Sequence, residues 1–425
     1  MDTQHGGTVT PVDDLDLPEF DVRGDDFATN PLAVLGEARA RAPLGRSHRG
    51  VEVLTYDLAS RLLSDERFDT AGVEHYRRLG APDPVLRFVE DGLLSTMERE
   101  RHDRVRRVLS RAFTIRRIDE QRALMQEVGG ALIANFIDRG SCELVGDFTD
   151  RYPIEVLCRF IGVPPDDIPT FSRDAHALHL LAAVPMAPGF PSLSRAYESM
   201  ERYVIGLLDE RRRVPQPDFV SALIEAQASE GALTESQLVG NIVNLLFAGA
   251  GTTRMQLASA VRVFVEHDLW ERLFTRPEIV PPALEEALRF YPVTQFVVRI
   301  PREDAVVDNI VFPNGTRVIV NLLAASRDPA EFPEPNRFDI SRGDRRSRLP
   351  FGWGVHHCLG HALARTQMNE ALLLLTSQLR NVTVAEITVK ERPSAMLAGP
   401  AQLNLRFIRR SPQPAPAHQH APTSP

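Results

Sequence analysis

Apolar residues recur at helical spacing over most of the chain. Within Arg99–Phe113, the residues Val105, Val108, Leu109 and Ala112 form one stripe. The same period predicts helices at Ser194–Arg213, Glu235–His267, Pro281–Arg289 and Leu359–Leu379. Runs rich in β-branched and aromatic residues predict strands at Val51–Tyr56, Val297–Ile300, Asn309–Phe312, Thr316–Leu322 and Gln402–Phe407. The pattern therefore predicts a mainly α protein with small β-sheets near the start and in the last third.

The two ends of the chain differ from the part between them. Residues Met1–Pro18 are polar and acidic, and Ser411–Pro425 contains five prolines, so neither end has the composition of a packed core. No internal repeat or low-complexity linker interrupts the chain between them. We therefore expect a flexible N-terminal segment at 1–18, one domain at 19–410 and a disordered proline-rich tail at 411–425.

Composition narrows the class of protein. The chain has 425 residues, is 43% hydrophobic and carries a formal net charge of −8, which argues against nucleic acid as its main partner. No apolar run is long enough for a membrane span, and the N-terminus lacks the blocks of a signal peptide. The three cysteines, Cys142, Cys158 and Cys358, provide no disulfide framework. These features predict a cytoplasmic protein without a membrane or nucleic-acid partner.

The most informative segment is the cysteine loop, Phe351–Gly360, with the sequence Phe-Gly-Trp-Gly-Val-His-His-Cys-Leu-Gly. Its glycines permit backbone conformations that other residues resist, and Cys358 stands where a helix begins, so that free N–H groups favour a thiolate. An ordinary buried cysteine is one alternative. The other is a zinc site, although its spacing matches no common zinc pattern; its ligands would be His356, His357, Cys358 and His361.

Together with the following Ala362-Leu363-Ala364-Arg365, this loop resembles the haem-binding signature of the cytochromes P-450. The resemblance implies that Cys358 ligates the iron of haem b and that Phe351, Gly352 and Gly360 shape the haem-binding loop. It covers roughly Leu17 to Arg409, and it implies the cytochrome P-450 fold with a single triangular haem domain. Gln367 departs from the family, which usually has glutamate there.

A second motif, Ala248-Gly249-Ala250-Gly251-Thr252-Thr253, lies within the longest predicted helix. Each glycine disfavours a helix interior by about 1 kcal/mol relative to alanine, which predicts a locally loosened helix with a free carbonyl. The motif resembles the family's Ala-Gly-x-acid-Thr-Thr, which implies a catalytic site at Ala248, Gly251 and Thr252, where the Thr252 hydroxyl bonds to oxygen. Gly251 replaces the usual acid, so protons must come from ordered water, a substrate group or a more distant side chain.

Haem carries two propionates, and the chain offers cations for them. His102 and Arg106 are four residues apart on one helix and share a face. The resemblance assigns both residues to propionate binding, together with Arg299 and His356, and makes Arg348 a further candidate. Each of these alone would more often be a surface charge.

Glu286 and Arg289 resemble the structural Glu-x-x-Arg pair of the family, and Arg337 matches the arginine that joins it. The alternative is a routine surface ion pair that contributes a few tenths of a kcal/mol.

The resemblance implies that the chain needs two electrons per turnover, and no flavin or iron–sulfur segment is visible in its sequence. The resemblance implies a ferredoxin and a ferredoxin reductase. Arg104, Arg107 and Arg111, hereafter the arginine face, lie at helical spacing and could dock an acidic ferredoxin. A solvated basic helix face is the alternative.

The resemblance also indicates which residues line the substrate pocket: Phe247, Val293, Thr294, Phe296 and Val297. This set favours an apolar or aromatic substrate. We therefore expect a monooxygenase that inserts one O2-derived oxygen atom into a small molecule of natural-product biosynthesis or catabolism. Oxidative coupling, peroxide-driven oxidation and a non-catalytic haem-binding partner are the alternatives.

Overall fold

The computed structural model describes residues 9–182, 185–230, 233–342, 349–388 and 395–411. The helices are α1 (Asp25–Thr29), α2 (Pro31–Arg41), α3 (Tyr56–Ser64), α4 (Gly72–Arg78), α5 (Asp83–Arg87), α6 (Arg99–Ala112), α7 (Ile115–Asp119), α8 (Arg122–Ala134), α9 (Tyr152–Ile161), α10 (Ile168–Leu178), α11 (Phe190–Arg213), α12 (Phe219–Glu230), α13 (Glu235–Glu266), α14 (Trp270–Thr275), α15 (Val280–Phe290), α16 (Leu322–Ala325) and α17 (His361–Gln378). The strands are β1 (Thr10–Pro11), β2 (Leu44–Ser47), β3 (Gly50–Val53), β4 (Phe68–Asp69), β5 (Ser141–Glu143), β6 (Phe296–Pro301), β7 (Ala305–Val307), β8 (Ile310–Phe312), β9 (Val318–Asn321), β10 (Leu379–Thr388) and β11 (Gln402–Arg409). The mainly α class with small sheets is confirmed.

Helix α13 runs through the helical part of the molecule. A capping box between Thr234 and Gln237 starts the helix, and most of its 32 residues are buried on all sides, as expected for a helix inside a core. It packs against α9, α11 and the π-helical turn Phe88–Gly92. None of the described helices is both long enough and apolar enough to cross a membrane.

The helical assignment of α13 continues without a break through the glycine motif, so the predicted local loosening is wrong. Packing from neighbouring helices outweighs the low helix propensity of the two glycines. The Ala248 carbonyl oxygen is not free either, because the Thr252 hydroxyl donates a hydrogen bond to it at 2.8 Å.

The five-stranded sheet has the strand order β2-β3-β9-β6-β4 and positions residues of the site. Strand β9 is buried along its whole length, and β6 pairs with it in antiparallel register, with Val297 opposite Val320. Because side chains alternate along a strand, Val297 and Arg299 share one face of β6 while Phe296 occupies the other. On the far side of β6, Asp69 of β4 stands opposite Ile300.

The prediction of a flexible segment over 1–18 is wrong for its second half. Thr10 and Pro11 pair in parallel with Ile310 and Val311 of β8, and Val12 is fully buried. The rest of the predicted segment and nearly all of the predicted tail lie outside the described residues.

Candidate active site

The cysteine loop folds back on itself ahead of α17. The Cys358 amide donates to the Phe351 carbonyl oxygen at 2.8 Å, which closes the loop. Gly352 and Gly354 have φ of +74° and +68°, the left-handed conformations that glycine adopts without strain. A Cβ on Gly354 would also collide with the Leu63 carbonyl oxygen of α3. The loop is therefore packed tightly against the end of α3 and requires this glycine.

The environment of Cys358 differs from that of the other two cysteines. Burial raises the pKa of the Cys142 and Cys158 thiols to about 12, and both are inert core residues. Burial also raises the pKa of Cys358, but the Gly360 amide, Arg106 and Arg365 all act in the opposite direction. Of the three, Cys358 is thus the one surrounded by groups that stabilise a thiolate.

Arg365 is held in place beside the cysteine. Its guanidinium pairs with Glu285 at 2.5 Å and stacks on the Phe351 ring, 4.2 Å from the ring centroid. The zinc alternative lacks a suitable geometry, since no group of three or more His, Cys, Asp or Glu in the described ranges could hold a metal ion.

Four predicted propionate ligands, His102, Arg106, Arg299 and His356, converge and are called the cation cluster below. The rings of His102 and His356 are in edge contact, with centroids 4.6 Å apart. Electrostatic coupling links Arg106 both to His102 and to Cys358. Burial lowers the pKa of Arg299 to about 10, and only the nearby Asp69 carboxylate counters this effect. Arg348 lies outside the described residues.

Asp69 belongs to this site and was not predicted from the sequence. Its carboxylate lies 3.8 Å from His356 Nε2 and accepts from Arg302 Nε at 2.8 Å. Burial raises the pKa of Asp69, but the contact with His356, the hydrogen bonds from the Thr70 amide and Arg302, and the charge of Arg302 outweigh burial and bring it to about 2. One ionised carboxylate therefore faces the cation cluster.

The cation cluster fits the two carboxylates of a haem. His102 is fully buried; its Nδ1 lies 2.9 Å from Asp103, whereas its Nε2 is buried without a hydrogen-bond partner among the described residues. A buried polar atom without a partner is unfavourable, as is a buried cation with too little negative charge nearby. Both a partner and negative charge would come from the propionates, while the sulfur of Cys358 is a suitable iron ligand.

The residues of the distal motif lie together on α13. Ala248 is exposed and Thr252 is partly exposed, whereas Gly251 is buried against the ring of His179. His179 Nε2 donates to the Phe247 carbonyl oxygen at 3.1 Å. This histidine was not predicted from the sequence, because nothing in its local pattern distinguishes it.

The predicted pocket residues do not all point the same way. Phe247 is partly buried, and its ring contacts Phe88 at a centroid distance of 5.9 Å. Val297 is partly exposed on the face of β6 that carries Arg299. The Phe296 ring lies on the opposite face under the Arg49 guanidinium, at 4.3 Å, so its assignment to the pocket is wrong.

Val293 and Thr294 are fixed by a neighbouring segment. The Ala398 amide donates to the Val293 carbonyl oxygen at 2.8 Å, and Thr294 forms a β-bridge with Leu397. Residues 293–294 and 397–398 are thus adjacent in space.

Glu286 and Arg289 form a buried bidentate pair, with N–O distances of 2.7 and 2.8 Å. The prediction that the Arg337 side chain joins them is wrong. Its guanidinium is 59% exposed and binds Asp339, and only its backbone carbonyl accepts from Arg289. The second guanidinium that contacts Glu286 comes instead from Arg342, whose Nε lies 3.3 Å from Glu286.

Comparisons with known proteins agree with this geometry. The family model described as Cytochrome P450 matches residues 277–403. Mycinamicin IV hydroxylase/epoxidase of Micromonospora griseorubida is 33% identical over 86% of this chain and 91% of its own length. Cytochrome P450 monooxygenase PikC of Streptomyces venezuelae is 30% identical over 96% of this chain and 97% of its own length. Cytochrome P450 CYP109Q5 of Chondromyces apiculatus superposes with a TM-score of 0.83 at 25% identity, over 93% of this chain and 99% of that structure.

Proposed function

Because the chain belongs to the cytochrome P450 family and is therefore a haem-dependent oxidoreductase that uses molecular oxygen, we propose that it oxygenates an apolar or aromatic small molecule of natural-product metabolism. Cys358 is the residue that would bind the haem iron, through its thiolate. The observation that carries the proposal is the placement of Cys358 beside the cation cluster, in which His102 Nε2 lacks a partner among the described residues. Relatives named for mycinamicin IV and luteothin support the substrate class.

Bound haem would supply oxygen activation for the reaction O2 + RH + 2 e⁻ + 2 H⁺ → ROH + H2O. Cys358 is the residue that would bind the iron as a thiolate and supply electron density to it, and the Gly360 amide, Arg106 and Arg365 stabilise the negative charge of that sulfur. The residues that would hold the two propionates are His102, Arg106, Arg299 and His356.

We assign the hydrogen bond to bound oxygen to the Thr252 hydroxyl. The Thr252 hydroxyl donates a hydrogen bond to the Ala248 carbonyl oxygen, so its own oxygen is available to accept a hydrogen bond from another group. Substrate orientation depends on apolar contacts with Phe247, Val293 and Val297, which contribute in proportion to the area removed from water.

The turnover test separates this function from its alternatives. Natural products, macrolides and aromatic compounds among them, are screened for a spin-state shift of the Soret band, and the best compound is incubated with NADH, a ferredoxin and its reductase. We expect NADH-dependent product that contains one O2-derived oxygen atom. Product with hydrogen peroxide alone would favour a peroxide-driven oxidase, and no product under either condition would favour a non-catalytic haem-binding protein.

The proposed electron donor is an acidic ferredoxin that binds the arginine face. Arg104, Arg107 and Arg111 are exposed on α6, the helix that also carries Arg106 and His102. Replacing all three by glutamine should slow iron reduction by ferredoxin and leave reduction by dithionite unchanged. The matched control replaces the exposed Arg195 and Arg213 of α11. Equal loss in both variants, or no loss in either, would reject docking at this face.

A further inference from the structure

The side-chain position of Gly251 is filled by a histidine from another part of the chain. His179 begins the 3-10 turn that follows α10. A Cβ built on Gly251 would lie 2.6 Å from Cδ2 and 2.8 Å from Cε1 of this imidazole, and closer still to Nε2. Neither an acid nor any other side chain fits at 251 while His179 is in place. Glycine at 251 and histidine at 179 are therefore one structural feature.

A hydrogen bond and a ring contact hold the side chain of His179 against α13. Its Nε2–H donates to the Phe247 carbonyl oxygen at 3.1 Å, and its ring lies 5.5 Å from the Phe247 ring. Because a carbonyl only accepts, this bond assigns the proton to Nε2 and leaves Nδ1 as the acceptor in the neutral ring. The imidazole thus has an accepting and a donating nitrogen, and it touches the residue directly before Thr252.

A second histidine extends from His179 toward solvent. His176 is exposed on the last turn of α10, and its ring centroid lies 6.2 Å from that of His179. The Nδ1 of His176 is bonded to the Ser172 carbonyl oxygen at 2.6 Å. The two rings are therefore in edge contact, which makes His176 the neighbour of His179 on the solvent side.

Burial above all keeps the ring of His179 neutral at pH 7. It lowers the pKa of His179 to about 4, and His176 and Arg254 act in the same direction, while the carbonyl oxygens of Phe247 and His176 oppose them. Arg254 is itself paired with Asp150 at 2.8 Å. A neutral imidazole passes a proton by accepting at one nitrogen and donating from the other.

We propose that His176 and His179 form a proton path from solvent to the Thr252 side of α13, with His179 taking over the task of the acid that Gly251 replaces. A proton from solvent enters at Nδ1 of His179, and the proton on Nε2 leaves toward the Thr252 hydroxyl or a water beside it. The ring ends neutral as the other tautomer and resets by exchange with solvent. The electrons of the reaction come from the redox partner, and no covalent bond to the protein forms. This inference rests on the proposed function.

A purely structural role for His179 makes a different prediction. The imidazole would then only fill space and bond to the Phe247 carbonyl oxygen. Glutamine at 179 can still donate that bond through its amide, but it cannot relay a proton. His179→Gln therefore separates the two roles, and His48→Gln, at an exposed histidine, serves as the matched control.

The test uses hydrogen peroxide to oxidise guaiacol, because this probe needs proton transfer at the oxygen site but no ferredoxin. We expect His179→Gln to lower turnover at saturating peroxide about a hundredfold, the lower end of general acid–base effects, and to raise the solvent isotope effect. His48→Gln should change neither quantity. In His179→Ala the space above residue 251 is open, so adding Gly251→Asp should recover much of the activity that His179→Ala alone loses.

Each result has a defined meaning. If His179→Gln has the same turnover and the same solvent isotope effect as the unmodified protein, the proton path is wrong. The path is also wrong if the unmodified protein shows the spectrum of nitrogen-ligated iron and this spectrum disappears in His179→Gln. Failure of Gly251→Asp to improve His179→Ala would also count against it. All variants must first show the thiolate-type spectrum of the reduced carbonyl complex. Loss of that spectrum in the unmodified chain would instead refute the proposed function.

Discussion

Arg342, not Arg337, should be the arginine on which the buried pair of α15 depends. The Arg342 guanidinium is 14% exposed and donates to Glu286 at 3.3 Å. It also donates to three backbone carbonyl oxygens, those of Pro333 at 2.6 Å, Glu334 at 2.8 Å and Arg337 at 3.2 Å. Hydrogen bonds from a charged donor contribute about 1.5–3 kcal/mol each when buried, although the outer carbonyls regain water once the guanidinium is removed. Arg342→Gln should therefore lower the free energy of unfolding by about 2–4 kcal/mol.

Arg337→Gln is the matched control in the same segment. Its side chain is 59% exposed and pairs with Asp339 and Glu334 at the surface, so its loss should lower the free energy of unfolding by less than about 1 kcal/mol. Urea unfolding of the haem-loaded variants, followed by circular dichroism, measures both values. A double-mutant cycle with Glu286→Gln isolates the coupling between Arg342 and Glu286. If Arg337→Gln were as destabilising as Arg342→Gln, the guanidinium assigned to Glu286 here would be wrong.

Three further predictions follow from the packing. Gly354→Ala should lower haem retention and should lower the free energy of unfolding by about 2 kcal/mol or more, because residue 354 has a positive φ and an added Cβ would collide with the Leu63 carbonyl oxygen. Gly130→Ala, in open space on α8, should instead raise the free energy of unfolding by up to about 1 kcal/mol. Urea unfolding measures both free energies, and the ratio of Soret to protein absorbance measures haem retention. The pKa of His179 is about 4 in the fold and near 6.5 when unfolded, so the unfolded chain binds more protons between these values and stability falls as pH drops. Between pH 7.5 and 5.5 the unmodified chain should lose about 1 kcal/mol more than His179→Gln in urea titrations, and an identical pH dependence would contradict the burial of this ring. Val297→Trp should weaken the binding of 4-phenylimidazole, measured by the Soret shift, because Val297 lies on the face of β6 that carries Arg299. Phe296→Leu should leave this binding nearly unchanged, because the Phe296 ring lies on the opposite face, under Arg49. The reverse order would show that the two faces of β6 are assigned wrongly.

The elements with a strong local signal were predictable from the sequence. The predicted bounds of α6 and α13 each differ from the observed bounds by one residue, at the C-terminal end, because apolar spacing over many turns determines both helices. The cysteine loop was recognisable because its glycines and Cys358 occupy consecutive positions of one segment.

Features that depend on distant contacts were not predictable. Strand β1 forms because Thr10 and Pro11 pair with β8, which is distant in the sequence. The local sequence around residues 10 and 11 contains no pattern that predicts this pairing. The choice between Arg337 and Arg342 depends on how one short loop folds over Glu286. His179 contacts Phe247 from 68 residues away, so only the tertiary structure shows why residue 251 is a glycine.

The central claim is that the Cys358 thiolate binds the haem iron. The visible spectrum of the reduced, carbon monoxide-bound protein tests it most directly. We expect the strongly red-shifted Soret band of thiolate ligation in the unmodified chain and in Cys142→Ala and Cys158→Ala, and its loss in Cys358→His, with haem still bound. A protein that binds haem without this band, or a Cys358→His variant that keeps it, would contradict the account.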